Sequence, residues 1–258
     1  MSIRTEPWPD GVPCWTDLMA PDVPAAQAFY SAVLGWTYQP TNEEFGGYVI
    51  AEAGGAPAAG IGPTQPGART AWTLYLASGD ADKAAAAIAE NGGTVLLAPG
   101  DVGEAGRMLI AVDPTGAAFG VWQAGQMIGA SVVNQPGGIT WEDLRSTDPA
   151  AARTFYGAVF GVHFAAVPMA PEDYQTFAPP GQEAPVGGMG GFMGESTDSH
   201  WLVYFGVADT EAAVAAVGPA GGSVVTGVTD TPFGKMAGIT DPAGALFWIV
   251  ETPSEGYT

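Results

Sequence analysis

The chain is 258 residues long and strongly acidic, with seven Lys and Arg against 27 Asp and Glu and a formal net charge of −20. A field of that sign repels phosphate backbones and anionic lipid headgroups, which argues against nucleic acid and membrane surfaces as partners. Apolar residues make up 47% of the sequence, enough for a packed core, so the composition favours a globular protein that binds neutral or cationic small molecules.

The cysteine content and the first residues of the sequence indicate the cellular compartment. Cys14 is the single cysteine, so no internal disulfide can form, which fits a reducing environment. The first residues lack the apolar run of a signal peptide, and no stretch of about 18 apolar residues follows. We therefore expect a cytoplasmic protein.

The predicted elements of the first part follow one another with clear boundary signals. A short strand near residues 15–19 leads into a helix that starts at Asp22 and stops at Gly35. Two short strands follow, the second near residues 71–77, and then a helix over residues 80–91. A turn at residues 113–116, whose Pro and Gly suit a tight turn, joins the last pair of strands.

The second part of the chain repeats this pattern. Trp15-Thr16-Asp17-Leu18 is echoed by Trp141-Glu142-Asp143-Leu144 at an offset of 141 − 15 = 126. Further matches keep the same order, including Phe29-Tyr30 with Phe155-Tyr156 and Asp113-Pro114 with Asp241-Pro242. We therefore divide the chain into a first half, residues 1–126, and a second half, residues 127–258, and predict a linker over residues 123–138 in which residues 135–138 are flexible.

Two motifs carry a resemblance to a known family. Each half has an Asp-initiated helix ending in Phe-Tyr-x-x-Val-x-Gly, and an Asp-Pro-x-Gly turn before a final aromatic strand. This resembles the vicinal-oxygen-chelate superfamily of glyoxalases, bleomycin-resistance proteins and extradiol dioxygenases, and in particular its two-copy actinobacterial members that are often labelled hydroxylases. The resemblance implies an α+β fold of two tandem βαβββ modules, each copy doubled as paired units, forming a curved mixed sheet around a cavity.

The same resemblance locates the positions at which relatives bind a metal. The first-strand His or Gln corresponds to Trp15 and Trp141, and the middle-strand His corresponds to Thr73 and Leu202. The last-strand Glu corresponds to Gly120 and Trp248. None of these residues replaces a His or Glu ligand, so we expect no metal and no other cofactor.

Strand alternation predicts which side chains share the face of the lost ligands. A pocket lined by tryptophans could stack a planar aromatic ligand, or the rings could simply fill the space. The predicted ligand-binding residues are Trp15, Thr73, Tyr75, Trp122, Trp141, Leu202 and Trp248.

Polar groups on this face are candidates for acid–base chemistry. Asp17 and Asp143 are each either a general base or a structural carboxylate bonded to an indole or a loop amide. His200 and Tyr204 lie on one predicted face in the second half, and His200 could move protons at neutral pH. We therefore predict His200, Tyr204, Asp143 and Asp17 as catalytic residues and the second half as the working site.

Three functions fit these residues. The first is a tailoring enzyme for an aromatic or polycyclic metabolite without the ancestral metal, and the second is a protein that sequesters such a compound. The third is a metal-dependent lyase or dioxygenase with ligands rearranged among Asp17, Asp143 and His200. We expect a monomer or weak homodimer in which the two halves pair to form the cavity.

Overall fold

The computed structural model describes residues 3–41, 45–64, 70–168, 170–192 and 198–252. The first half contains β1 (Pro13–Ala20), α1 (Val23–Leu34), β2 (Thr37–Tyr38), β3 (Val49–Ala53), β4 (Ala56–Pro63), β5 (Trp72–Ala77), α2 (Ala81–Glu90), β6 (Thr94–Val102), β7 (Gly106–Val112) and β8 (Ala118–Ala124). The second half contains β9 (Ile139–Arg145), α3 (Pro149–Phe160), β10 (His163–Ala166), β11 (Gln175–Ala178), β12 (Gly187–Gly190), β13 (His200–Val207), α4 (Thr210–Val217), β14 (Ser223–Thr231), β15 (Gly234–Thr240) and β16 (Leu246–Glu251).

Each half forms its own eight-stranded mixed sheet. The strand order is β2-β3-β4-β1-β5-β8-β7-β6 in the first half, and the second half repeats it as β10-β11-β12-β9-β13-β16-β15-β14. Each sheet is therefore two βαβββ units joined where β1 pairs with β5, or β9 with β13, in antiparallel fashion. The predicted α+β fold of doubled βαβββ modules is confirmed.

The helix boundaries follow from the capping residues. The Asp22 side chain accepts a hydrogen bond from the Ala25 amide at 2.9 Å, and Asp148 caps α3 in the same way. Gly35 follows α1 with φ 71°, a left-handed conformation that favours glycine. The predicted Asp start and Gly stop are both confirmed.

The two halves pack through aromatic side chains of their helices and sheets. Tyr30 of α1 contacts Phe247 of the second sheet with ring centroids 5.3 Å apart, and Trp72 of β5 contacts Phe205 of β13 at 5.0 Å. These rings lie on the sheet faces opposite Asp17 and Asp143. The prediction that the halves pair to form one cavity is therefore wrong, because the halves meet through the sheet faces opposite those that carry Asp17 and Asp143.

The repeated Phe-Tyr and Asp-Pro motifs meet in this interface. The Tyr30 hydroxyl lies 3.2 Å from Asp241 Oδ2 of the second half and also accepts a hydrogen bond from the Trp72 indole at 3.1 Å. In the second half, Tyr156 is the counterpart of Tyr30 and neighbours Asp113 of the first half. Burial and Asp113 raise the pKa of Tyr156 well above its usual value. Each half therefore places its helix tyrosine beside the turn aspartate of the other half.

The segment between the sheets is packed, contrary to the prediction of a flexible linker. Ala130 and Val132 are fully buried, and the Ala130 amide donates to the Cys14 carbonyl at 2.7 Å. The Trp36 indole donates to the Gly137 carbonyl at 2.7 Å. The Gly and Pro content of this segment reflects tight turns and close approach, since a Cβ on Gly138 would lie 2.6 Å from the Val132 carbonyl oxygen.

The helices of the described chain are short. None of those within residues 3–41, 45–64, 70–168, 170–192 and 198–252 is long and apolar enough to cross a membrane.

Candidate functional site

The register of the central strands places the predicted face residues side by side. In the first half, Asp17 of β1 is flanked by Gly60 of β4 and Thr73 of β5, and Trp15 lies opposite Tyr75. In the second half, Asp143 of β9 is flanked by Gly188 and Leu202. Each sheet therefore has an aspartate at its centre on this face.

In the first half, Asp17 is held by two tyrosines on one of its oxygens. The Tyr75 hydroxyl donates to Asp17 Oδ2 at 3.0 Å, and the Tyr48 hydroxyl donates to the same oxygen at 3.2 Å. Tyr48 in turn accepts a hydrogen bond from the Trp15 indole at 3.0 Å. The other oxygen, Asp17 Oδ1, is buried without a hydrogen-bond partner among the described residues.

Burial dominates the electrostatics of Asp17. The side chain is 5% exposed, and burial raises its pKa from the usual value of 3.8 to about 7, against the opposing hydrogen bonds from Tyr75 and Tyr48. None of the ion pairs in the described chain includes Asp17. The carboxyl is therefore poised to take up or release a proton near neutral pH.

Glycines make room for the tyrosines on this face. A Cβ on Gly60 would overlap the Tyr48 hydroxyl, and a Cβ on Gly120 would overlap the Tyr75 ring. Tyr48 and Tyr75 therefore reach Asp17 only because β4 and β8 carry no side chain at these two positions.

In the second half, Asp143 has donors on both oxygens. The Trp141 indole at 3.0 Å and the Tyr174 hydroxyl at 2.8 Å donate to Oδ1. The Tyr204 hydroxyl at 3.0 Å and the Arg145 guanidinium at 2.5 Å donate to Oδ2. The ion pair with Arg145 is buried, with side-chain exposures of 9% for Arg145 and 5% for Asp143. Each oxygen of this carboxyl in the second sheet therefore has two hydrogen-bond donors.

Three residues of these networks escaped the sequence analysis. Tyr48 and Tyr174 precede β3 and β11, and Arg145 ends β9. The repeat contained a signal for the tyrosines, because 174 − 48 equals the same offset of 126 that relates the tryptophan motifs. The repeat gave no signal for Arg145, because its counterpart in the first half is Met19.

His200 lies opposite Arg145 in the pairing of β9 with β13, but its ring contacts Asp198 and Phe192 and not Asp143. Its Nδ1 is 2.7 Å from the Asp198 carbonyl oxygen, and its ring stacks near Phe192 with centroids 6.3 Å apart. Four residues of extended strand separate it from Tyr204, a span of about 13 Å, so the two side chains share a face without meeting. Tyr204 contacts Asp143 instead, and a catalytic role for His200 stays a prediction.

Both halves carry aromatic side chains on the predicted face, but the rings occupy different strand positions in the two sheets. Trp122 pairs with Met108 in the first sheet, and its indole donates to the Met127 carbonyl at 2.9 Å. Trp248 occupies the place of Gly120 and stacks on Tyr204 with centroids 5.8 Å apart. Trp15, Tyr75 and Trp122 are buried, whereas Thr73, Trp141 and Trp248 are half-buried; binding of a ligand by these residues stays a prediction.

Comparisons with known proteins identify the family. Residues 15–122 match the model of the glyoxalase-like domain, and residues 138–249 match that of the glyoxalase/bleomycin resistance protein/dioxygenase superfamily. "Putative glyoxylase CFP32" of Mycobacterium tuberculosis is 37% identical, over 93% of this chain and 95% of that protein. The chain belongs to the glyoxalase/bleomycin resistance protein/dioxygenase superfamily. Within it, the anthracycline biosynthesis protein DnrV of Streptomyces peucetius is 36% identical, over 96% of this chain and 95% of the relative.

Solved structures of this superfamily share the fold at low sequence identity. The Mn(II)-bound glyoxalase from Novosphingobium aromaticivorans superposes with a TM-score of 0.67 at 14% identity, covering 94% of this chain and 82% of that one. The 2,3-dioxygenase LapB from Pseudomonas sp. KL28 has a TM-score of 0.67 at 15% identity, covering 96% and 94%. These structures show that the fold is shared, and the family models and the relatives above confirm the predicted family.

At the positions that the resemblance implies for metal ligands, the first half carries no His or Glu. In the first half the three ligand positions carry Trp15, Thr73 and Gly120, and the Tyr75 ring occupies the space beside Gly120. No group of three or more His, Cys, Asp or Glu side chains able to hold a metal ion occurs in the described parts of the chain. Asp17 and Asp143, two members of the rearranged ligand set, lie on separate sheets.

Proposed function

We propose that the chain is a tailoring enzyme for an aromatic or polycyclic small molecule, with Asp17 of the first half as its proton-exchanging group. The superfamily membership and the relatives support the substrate class, since DnrV and DauV, each 36% identical, are named anthracycline biosynthesis proteins. Anthracyclines are fused-ring aromatic compounds, a shape that suits stacking on aromatic side chains.

The observation that carries this proposal is the unpartnered oxygen of a buried carboxyl. Asp17 Oδ1 has no hydrogen-bond donor among the described residues, although burial of such an atom is costly. A substrate hydroxyl or amine directed at Oδ1 removes that cost. The same contact brings an exchangeable proton within reach of a group whose pKa is about 7.

The surroundings of Asp17 suit a flat apolar substrate. Trp15 and Tyr75 flank the carboxyl on one side, and Met108 and Ile110 of β7 add half-buried apolar surface on the same face. Thr73, which lies opposite Asp17 on β5, is half-buried. The substrate in this proposal stacks along these residues and presents its polar group to Oδ1.

The chemistry requires only proton transfer. Ionised Asp17 accepts a proton at Oδ1 from a substrate O–H, N–H or activated C–H group, and the electron pair of the broken bond stays on the substrate. The protonated carboxyl then returns the proton at another substrate position. The Tyr48 and Tyr75 hydroxyls stay bonded to Oδ2 throughout and hold the carboxyl in place.

A second candidate function is sequestration of the same kind of compound. The half-buried Trp141 and Trp248 of the second half favour it, because accessible aromatic surface binds a planar ligand without any titrating group. The two functions differ in turnover alone, so one variant that spares the rings separates them.

Replacing Asp17 by Asn tests the proposal. We expect turnover of polycyclic phenols and amino-substituted aromatics, followed by product chromatography, to fall about 100-fold or more. Ligand affinity, followed by quenching of tryptophan fluorescence, should change by less than about tenfold, because the stacking surface is intact. The exposed Asp82→Asn variant is the matched control and should keep full turnover.

Two results contradict this expectation. Turnover in Asp17→Asn within a few-fold of wild type would remove Asp17 from the chemistry. Binding without any turnover in the wild type, across the whole compound panel, would favour sequestration over catalysis.

A further inference from the structure

The two central aspartates occupy the same place in their sheets. Asp17 pairs with Gly60 of β4, and two residues later Met19 pairs with Gly62. Asp143 pairs with Gly188 of β12, and two residues later Arg145 pairs with Gly190. Met19 and Arg145 are therefore structurally equivalent positions on the same face as the aspartates.

The side chain at this position differs in charge. Arg145 is 7% exposed and forms its ion pair with Asp143, so the second half contains its cation and carboxylate as a neutral unit. Met19 contributes a thioether, which has no proton to donate, and its side chain is half-buried beside Gly62. The residue at this one position therefore decides whether the neighbouring aspartate is paired with a cation.

We propose that the residue at position 19 in the first half, and at the equivalent position 145 in the second, determines which half can exchange a proton with a ligand. The chain then has one chemically active sheet face and one structural sheet face. This inference rests on the proposed function and assigns the active face to the first half, in place of the second half that the sequence favours. The first half then selects ligands with a hydroxyl or amine donor for Asp17.

The other groups around each aspartate agree with this division. The titratable groups that face Asp17 are the neutral Tyr48 and Tyr75, whose pKa values are raised well above the usual value by burial. Cys14 lies on the opposite face of β1, and burial raises its pKa as well. No cation of the described chain is paired with this carboxyl.

The groups around Asp143, unlike those around Asp17, include a cation. Tyr174 and Tyr204 are bonded to it, Arg145 is paired with it, and Glu142 lies on the other face of β9. Burial raises the pKa of Glu142 well above its usual value. A ligand would have to displace an existing donor to reach the Asp143 carboxylate.

The experiment installs the missing cation in the first half. Met19→Arg is compared with Met19→Leu, which keeps the size and the absence of charge, and the Asp17 carboxyl is titrated by carbon-13 NMR. We expect the titration midpoint to fall from about pH 7 to about pH 5 or lower in Met19→Arg, since a nearby opposite charge favours the ionised form. Met19→Leu should keep the wild-type midpoint.

The readouts separate this inference from the proposed function. The titration requires no substrate, so it tests position 19 even if Asp17 catalyses nothing. A midpoint in Met19→Arg equal to that in Met19→Leu, with both variants folded by near-ultraviolet circular dichroism, would overturn the inference. If Met19→Arg does not fold, Met19→Lys is titrated in its place, and an unchanged midpoint there overturns the inference equally.

Discussion

Replacing Arg145 by Met should lower the free energy of unfolding by about 3–5 kcal/mol at pH 7, the range for a buried ion pair that loses one partner. The Asp143 side chain, 5% exposed in the wild type, would lose its cation. Hydrogen bonds from Trp141, Tyr174 and Tyr204 remain but supply no full positive charge. The measurement is urea-induced unfolding followed by circular dichroism.

The first half supplies the matched control for this variant. Met19→Leu changes the equivalent position without altering any charge, and we expect its cost to stay below about 1.5 kcal/mol, as for other volume-conserving apolar changes. A loss of less than about 1 kcal/mol in Arg145→Met would show that Asp143 does not depend on its cation and would contradict the structural role assigned to this ion pair.

The second large effect concerns the pH dependence of stability. Asp17 has a pKa of about 7 in the folded chain, against about 3.9 in an unfolded chain, so the folded state binds the proton more tightly. Stability from this group is therefore highest below about pH 4, declines as pH rises towards 7 and is flat above. The difference of about three pH units corresponds to at most about 4 kcal/mol.

The Asp17→Asn variant isolates this contribution. Glu142 adds a pH dependence of the same sign, because burial also raises its pKa, so the comparison must be between variants and not within the wild type. We expect Asp17→Asn to become more stable relative to wild type between pH 5 and pH 8, by up to about 3 kcal/mol. Parallel stability curves for the two proteins would show that Asp17 titrates normally.

The fold was predictable because its signals are local and repeated. The Asp caps, the Gly stops and the Asp-Pro-x-Gly turns each act within a few residues, and each occurs twice, which separates signal from chance. The packing of the halves was not predictable in this way. Contacts such as Tyr30 with Asp241 join residues far apart in the chain, and the repeat pattern does not show which faces meet.

The candidate site was also predictable in part. Strand alternation placed Trp15, Asp17 and Tyr75 on one face, and the register confirms that placement. Tyr48 was missed because it lies in a segment before β3 whose path follows from tertiary packing. The preference for the second half followed His200, the more familiar proton carrier, whereas the proposed function assigns proton exchange to Asp17, whose pKa burial raises to about 7.

The central claim is that Asp17 can exchange a proton near neutral pH, and carbon-13 NMR of the aspartate carboxyls tests it most directly. Comparison of wild type with Asp17→Asn assigns the Asp17 signal, which is then followed from pH 4 to pH 9. The structure predicts a titration midpoint near pH 7, about three pH units above that of an exposed aspartate. A midpoint below about pH 5 would show that the carboxyl is ionised throughout the neutral range and would contradict its role as the proton-exchanging group.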